Sequence, residues 1–215
     1  MFTIRLLKAL AVKMKQKLFI VFTDFEAAFD LVSRRLLFQK LIRLGLSSMM
    51  LTALIAIYSC SKSVVEHNKA YSDYLLLLAG VKQGALPSGL LCIAYTLGLI
   101  DMYENKFQPE PLILIHHMLV HADDILMLAT TRKLAIDKIF ALLNYCGENY
   151  IKLQITKCTF LCVNSSSDED QIPIAIKDLT LDITSEEVYL GSVIANSVKF
   201  TDDMKSIFKY FAFLR

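Results

Sequence analysis

The chain has 215 residues, 55% of them hydrophobic and 20% charged, with a net charge of +2 and a mean hydropathy of +0.47. That length holds one large domain or two small ones, and the composition excludes disordered, collagen-like and low-complexity classes. Lys+Arg 23 against Asp+Glu 21 neither announces nor forbids a nucleic-acid partner.

Residues 1–14 spread Arg5, Lys8 and Lys13 through an apolar stretch, which leaves no secretory signal core. Residues 18–23 form a short β-branched and aromatic run, predicted as a strand buried on both faces and ended by Asp24. Ser33 reads as a cap for a helix running to Leu44, with Gly45 in the left-handed position after it. A second helix is expected over 48–58, with positions 49, 50, 53, 54 and 57 on one apolar face. Residues 62–81 read as a hairpin turning near His67-Asn68-Lys69. The glycine-rich segment 80–89 then leads into an apolar helix over 90–103.

A strand is expected over 112–121, broken by Ala122-Asp123-Asp124 and resumed over 125–129. An amphipathic helix over 131–146 should close at Gly147, followed by strand-like residues 151–163. Ser-rich, acidic 165–170 reads as an exposed loop. Strands return around 172–183 and 188–194, and Thr201 caps a last helix. The order is that of an α+β fold with an antiparallel sheet.

Two stretches, 44–61 and 83–100, hold no Asp, Glu, Lys or Arg over 18 residues each. Interrupted by glycine, proline or hydroxyl residues, they fall short of the roughly 20 apolar residues of a spanning helix. Five cysteines, an odd number, point to reduced intracellular thiols buried as small hydrophobes. Neither Cys158 and Cys162 nor His116, His117 and His121 complete a zinc-binding spacing.

The sharpest chemical feature is the pair Asp123-Asp124 between two apolar strands. Ionised carboxylates beside a core are costly unless paired or metal-bound. Asp24 ends a further apolar strand. If the strands are sheet neighbours, three carboxylates converge, a hard-oxygen set suited to Mg²⁺. Two such ions about 4 Å apart drive nucleotidyl transfer.

The segment Phe22-Thr23-Asp24-Phe25-Glu26-Ala27-Ala28-Phe29-Asp30 resembles the first catalytic motif of reverse transcriptases from non-LTR (LINE-like) retrotransposons. Gly80-Val81-Lys82-Gln83-Gly84 resembles their second motif, and His121-Ala122-Asp123-Asp124 their aromatic-Ala-Asp-Asp box. Lys157 matches their motif lysine, and Tyr189-Leu190-Gly191 the segment near the palm–thumb junction. The motifs run in family order along nearly the whole chain. Four departures stand out: His121 for an aromatic residue, Lys82 for arginine, Leu86-Pro87 in inverted order, and Gly89 for proline.

The resemblance implies an α+β right-hand polymerase palm, an antiparallel sheet backed by helices, with partial fingers and a truncated thumb start. Residues 1–164 would be partial fingers and palm; 165–215 would be the end of the palm and the start of the thumb. It implies Asp24, Asp123 and Asp124 as the catalytic, metal-binding residues, holding two Mg²⁺ ions for which Mn²⁺ can substitute. Phe25 would lend its backbone carbonyl to a metal, and Ala27 and Ala28 their amides to the triphosphate. Phe29 would abut C2′ of the sugar and favour deoxynucleotides. Gln83 and Gly84 would line the nucleotide pocket and template strand, and Lys157 would neutralise or protonate the leaving pyrophosphate.

Asp30 is expected to be structural, capping the next segment. The partners implied are an RNA template, a DNA primer and deoxynucleoside triphosphates. Missing fingers and thumb segments, or a partner domain, would complete the surface. The location implied is intracellular, with the nucleus admitted by the resemblance, and no stable membrane association. The alternatives left open are a non-catalytic remnant of such a domain, a small membrane protein using 44–61 and 83–100, and an RNA-copying palm polymerase.

Overall fold

The computed structural model describes residues 2–110, 118–121, 124–165, 167–176 and 179–196. In chain order the first elements are α1 (Phe2–Met14), β1 (Leu18–Asp24), α2 (Arg34–Arg43) and α3 (Ser48–Ser59). Four two-residue strands follow: β2 (Lys62–Ser63), β3 (Glu66–His67), β4 (Ala70–Tyr71) and β5 (Leu75–Leu76). Next come α4 (Ser88–Lys106), β6 (Met118–His121), β7 (Asp124–Ala129), α5 (Arg132–Glu148) and β8 (Thr159–Val163). The last are β9 (Ile174–Ile176), β10 (Leu179–Ile183), β11 (Glu186–Tyr189) and β12 (Ser192–Ala195). The chain divides into two compact units, Met1–Asp24, Met102–Leu143 and Leu153–Arg215 in one, Phe25–Asp101 and Asn144–Lys152 in the other.

The first unit is built on a six-stranded sheet in the order β6-β7-β1-β8-β10-β9. Its pairings are antiparallel except β8 with β10. All seven residues of β1 are buried, as the uniformly apolar run predicts. Its alternate residues face opposite ways: Leu18, Ile20 and Phe22 pack with Leu126, Leu161 and the α1 residues Ile4 and Ala11. Phe19, Val21 and Met127 are buried too, and the Tyr103 hydroxyl meets Met127 Sδ at 3.1 Å.

Residues 1–14, read in the sequence only for a signal, are largely helix α1. Ile4, Leu7 and Ala11 stand at helical spacing and carry the packing. The helix stops where Lys15 adopts φ +54°, and Asn164 Nδ2 donates to Ala11 O at 2.9 Å and to Gln16 O at 2.8 Å. A buried ion pair sits on the same unit. Lys138 Nζ lies 2.6 Å from Glu110 Oε1, with the two side chains 1% and 7% exposed. The other Glu110 oxygen accepts from the Thr130 amide and hydroxyl, each at 2.6 Å. Every charge-bearing end is therefore bonded, the condition under which such a pair can be buried.

Three further expectations change. Gly147 lies inside α5 and does not close it. Residues 151–163 are not one strand; a 3₁₀ turn at Ile155–Lys157 precedes β8. Segment 165–170 is not simply an exposed loop: Asp168–Gln171 forms a 3₁₀ turn, and buried Asp170 meets Lys17 Nζ at 2.7 Å. The helix expected from Thr201, and most of the strand over 112–121, lie outside the described residues.

The second unit holds α2, α3, the nested strand pairs β2–β5 and β3–β4, and the start of α4. The turn between β3 and β4 falls at Asn68 and Lys69, both at positive φ, where the sequence places it. Val32, Leu37, Leu41, Tyr58, Val81 and Leu91 form its core. Arg34 binds this unit together. It donates to Gly80 O, Tyr58 O, Leu77 O and Ala79 O at 2.6–3.0 Å.

Ser33 is the N-cap residue of α2, but its side chain makes no capping bond; Ser47 does cap α3, accepting from the Met50 amide. The expected apolar face of α3 is not buried: Met49, Met50 and Ile57 are 78%, 55% and 52% exposed. Helix α4 buries one face and leaves Leu90 and Ile93 exposed. Among the described residues no helix is long and apolar enough to cross a membrane. Cys146, Cys158 and Cys162 are buried as expected, whereas Cys60 is exposed and Cys92 half-buried.

Candidate active site

Asp24 is the last residue of β1 and lies directly opposite Asp124, the first residue of β7. Paired residues on adjacent antiparallel strands have Cα atoms about 4.5–5.5 Å apart, so two carboxylates face each other at one sheet end. Like charges so placed repel, and Asp24, 9% exposed, has little water to screen it. The fold answers with a cation. Lys157 Nζ lies 2.7 Å from Asp24 Oδ2. The 3₁₀ turn carrying Lys157 is anchored on the same residue, because Gln154 N–H donates to Asp24 O at 2.8 Å. Asp24 Oδ1 is buried and has no hydrogen-bond partner among the described residues.

Asp123 lies outside the described residues. His121 pairs with Asp124 across β6 and β7. His121 itself is exposed.

A pocket of ≈ 340 Å³ opens on this corner, lined by Asp24, Asp124, Lys157, Thr159, Glu187 and Tyr189 among others. The Phe22 and Tyr189 rings lie 6.1 Å apart between centroids. Burial raises the Tyr189 hydroxyl above its ordinary value, and the Asp124 carboxylate adds to the shift, so the phenol stays neutral. Glu187 was not singled out in the sequence. Its Oε2 accepts from Thr159 Oγ1 at 2.7 Å and its Oε1 from the Val188 amide at 3.3 Å. The signal available for it was the period of two on β11, which puts Glu187 on the face of Tyr189.

Among the described residues no group of three or more His, Cys, Asp or Glu is assembled for a metal. The donors that are present still suit a hard cation: a buried carboxylate oxygen without a partner and a second carboxylate across the strand pair. A cation of the Mg²⁺ type takes one or two carboxylates and completes its shell from water and substrate phosphates. Burial pushes the neighbouring Cys158 thiol up, a backbone hydrogen bond from Asp24 pulls it down, and the Asp24 charge raises it further.

The remaining sequence-predicted residues lie in the second unit. Phe25 is buried. Residues 26–30 form a turn in which Asp30 N–H and Leu31 N–H both donate to Ala27 O. Ala27 sits at φ +46°, a left-handed conformation uncommon for a residue with a Cβ. Among the described residues, the amides of Ala27, Ala28 and Phe29 have no backbone acceptor. Successive free amides in such a turn are what an anion needs.

The second motif docks on the end of that turn. Gly80 is at φ +80°, and a Cβ there would meet Asp30 O at 2.7 Å, so only glycine fits. Val81 N–H donates to Phe29 O at 2.8 Å. Gln83 Nε2 reaches both Asp30 oxygens, at 3.1 and 3.2 Å. Asp30 is thus structural, as expected, but it ties the two motifs together and does not cap α2, whose N-cap is Ser33. Phe29 packs in part against the core of the unit. Gln83 and Gly84 are exposed, with Gly84 at φ +78°.

No curated protein matches the sequence. Among solved structures, the chain resembles an apo telomerase from Candida tropicalis truncated from its C-terminal domain, with TM-score 0.58 and 12% identity over 90% of this chain and 38% of that one. It also resembles a telomerase from Candida albicans in complex with a fragment of telomeric RNA, with TM-score 0.51 and 15% identity over 97% of this chain and 36% of the other. The chain therefore spans under two-fifths of either structure. At these identities the likeness carries the fold, an α+β polymerase palm. Residues 1–201 match the family described as reverse transcriptase (RNA-dependent DNA polymerase), and the chain belongs to that family.

Proposed function

We propose that this chain carries the polymerising centre of a non-LTR (LINE-like) retrotransposon reverse transcriptase, which extends a DNA primer along an RNA template with deoxynucleoside triphosphates. The observation that carries this reading is the pairing of Asp24 with Asp124 at the end of the sheet, with one buried Asp24 oxygen unpartnered among the described residues. Membership of the reverse transcriptase family supports it. The likeness to a telomerase bound to an RNA fragment supports the coarser part of it, RNA-templated DNA synthesis.

Two divalent cations, Mg²⁺ or Mn²⁺ in its place, supply when bound the activation of the primer 3′-hydroxyl and the stabilisation of the leaving pyrophosphate. In this reading Asp24 and Asp124, joined by Asp123, hold them, with the Phe25 carbonyl as a further donor. The amides of Ala27 and Ala28 receive the triphosphate. Lys157, 65% exposed at its side chain, neutralises or protonates the pyrophosphate. Phe29 sets the sugar preference, and Gln83 and Gly84 line the nucleotide pocket. Residues 1–164 are then partial fingers and palm, and 165–215 the end of the palm and start of the thumb.

Primer extension on an RNA template with deoxynucleotides and Mg²⁺ tests the reading. The wild-type chain should extend the primer and Asp124→Asn should fall to background. Equal extension by both removes the carboxylates from the mechanism. A second reading, template binding without polymerisation, is favoured by Gln83, whose amide is held on Asp30. It predicts primer–template binding with no extension by wild type.

A further inference from the structure

Lys157 and Asp24 are unequal partners. The aspartate side chain is 13% exposed and the lysine side chain 65% exposed, yet Nζ and Oδ2 stand 2.7 Å apart. Asp24 is held at the end of a wholly buried strand. The turn that carries Lys157 is held by its backbone, through Gln154 N–H to Asp24 O and Lys157 N–H to Gln154 O. The lysine stem can therefore swing into the adjoining pocket while its backbone stays in place. Its ammonium supplies the positive charge that two facing carboxylates require. The second Asp24 oxygen, buried and without a hydrogen-bond partner among the described residues, marks the same spot as one where a further cation would be welcome.

Resting on the cation reading above, we propose that Lys157 is a placeholder: its ammonium neutralises Asp24 until a divalent cation binds, and that cation displaces it into the pocket. The ion pair and the bound cation are then mutually exclusive. A lysine freed in this way reaches substrate phosphates only once the metal is present. The functional consequence is an order of events, cation first and lysine second.

Two measurements on the full chain test this. Mn²⁺ binding is followed by the electron paramagnetic resonance signal of the free ion, for wild type, Lys157→Met, Lys157→Arg and Asp24→Asn. Removing a competing positive charge from a solvent-reachable site should tighten Mn²⁺ binding about tenfold in Lys157→Met, less at high salt. Lys157→Arg should stay near wild type, and Asp24→Asn should bind weakly. Acetylation of Lys157 by a small acylating reagent, read by mass spectrometry, should speed up several-fold when Mg²⁺ is added to wild type. It should be fast in Asp24→Asn with or without the ion.

If Mn²⁺ binds but Lys157→Met does not tighten it, or Mg²⁺ leaves Lys157 labelling unchanged, the placeholder role is overturned while the cation site stands. If no variant binds Mn²⁺, or Asp24→Asn binds as wild type, the cation reading falls and the placeholder role with it.

Discussion

Strand β1 and helix α3 are both strongly apolar and end differently. Every residue of β1 is buried, whereas in α3 only Tyr58 is. The strand has neighbours along both edges, β7 and β8, and packed side chains on both faces. The helix lies on α2 and carries Met49 and Met50 on open surface. The short strand β5 repeats the pattern, with Leu75 and Leu76 52% and 55% exposed. Hydropathy measures what a segment gains from burial; whether it is buried depends on how many elements the topology brings against it. The paired Asp24 and Asp124 sit at the end of the well-buried strand, where the sheet fixes two like charges opposite each other.

The contrast can be broken at its strongest point first. Lys138→Met leaves Glu110 buried without its counter-charge and should cost about 3–5 kcal/mol, read as a lower urea midpoint. Glu110→Gln together with Lys138→Met should recover part of that loss. Phe19→Ala, in β1, should cost about 3–5 kcal/mol by loss of buried surface and creation of a cavity. If Phe19→Ala costs no more than a surface change, the sheet core is not where the stability lies.

Gly80→Ala should destabilise by about 1–3 kcal/mol, because a Cβ is strained at positive φ and runs into Asp30 O. Its loss should also loosen Gln83 from Asp30, visible as faster amide exchange over 80–84.

Lys40 sharpens the comparison through pH. Its ammonium lies 4.6 Å from the Tyr95 ring centroid and 5.3 Å from that of Tyr145. Burial first, and Arg43 second, lower it to about 8 from 10.5. Between those values the unfolded chain holds a proton that the folded chain has released, so stability rises with pH from about 8. Above pH 10 the trend should turn, because burial raises Tyr145 and the folded chain then keeps a proton that the unfolded chain loses. Melting temperatures between pH 8 and 9 should rise more steeply in wild type than in Lys40→Met, because the raised Cys158 and Cys162 thiols oppose the rise above that range.

The smallest effect belongs to α3. Met49→Ser should change stability by no more than about 0.5 kcal/mol, as expected for an exposed residue. A large loss there would show that α3 is covered in solution and would erase the contrast with β1.

Much of the site was legible because its residues break local rules. Asp24 ends one apolar run and Asp124 belongs to the pair that breaks another, positions where ionised carboxylates are costly unless paired or metal-bound. Ala27 and Gly80 fall within the first two motifs, but their positive φ is visible only in the structure. Lys157 came from the resemblance, and nothing local in the sequence joined it to Asp24. Glu187 was missed because an isolated acid on a short strand looks like any solvated residue until the sheet brings Thr159 to it.

Order in the chain was enough to reveal the strands around the carboxylates, the helices α2, α4 and α5, the α+β class and the succession of motifs, because each leaves a local period or an interruption of one. Long-range pairing settled the rest. It set Asp24 opposite Asp124, brought Lys157 across the 133 residues that separate it from Asp24, and buried Asp170 on Lys17. It also left α3 exposed despite its hydropathy. These depend on which strands become neighbours and on the charges and surfaces they then share, and no window of adjacent residues carries that information.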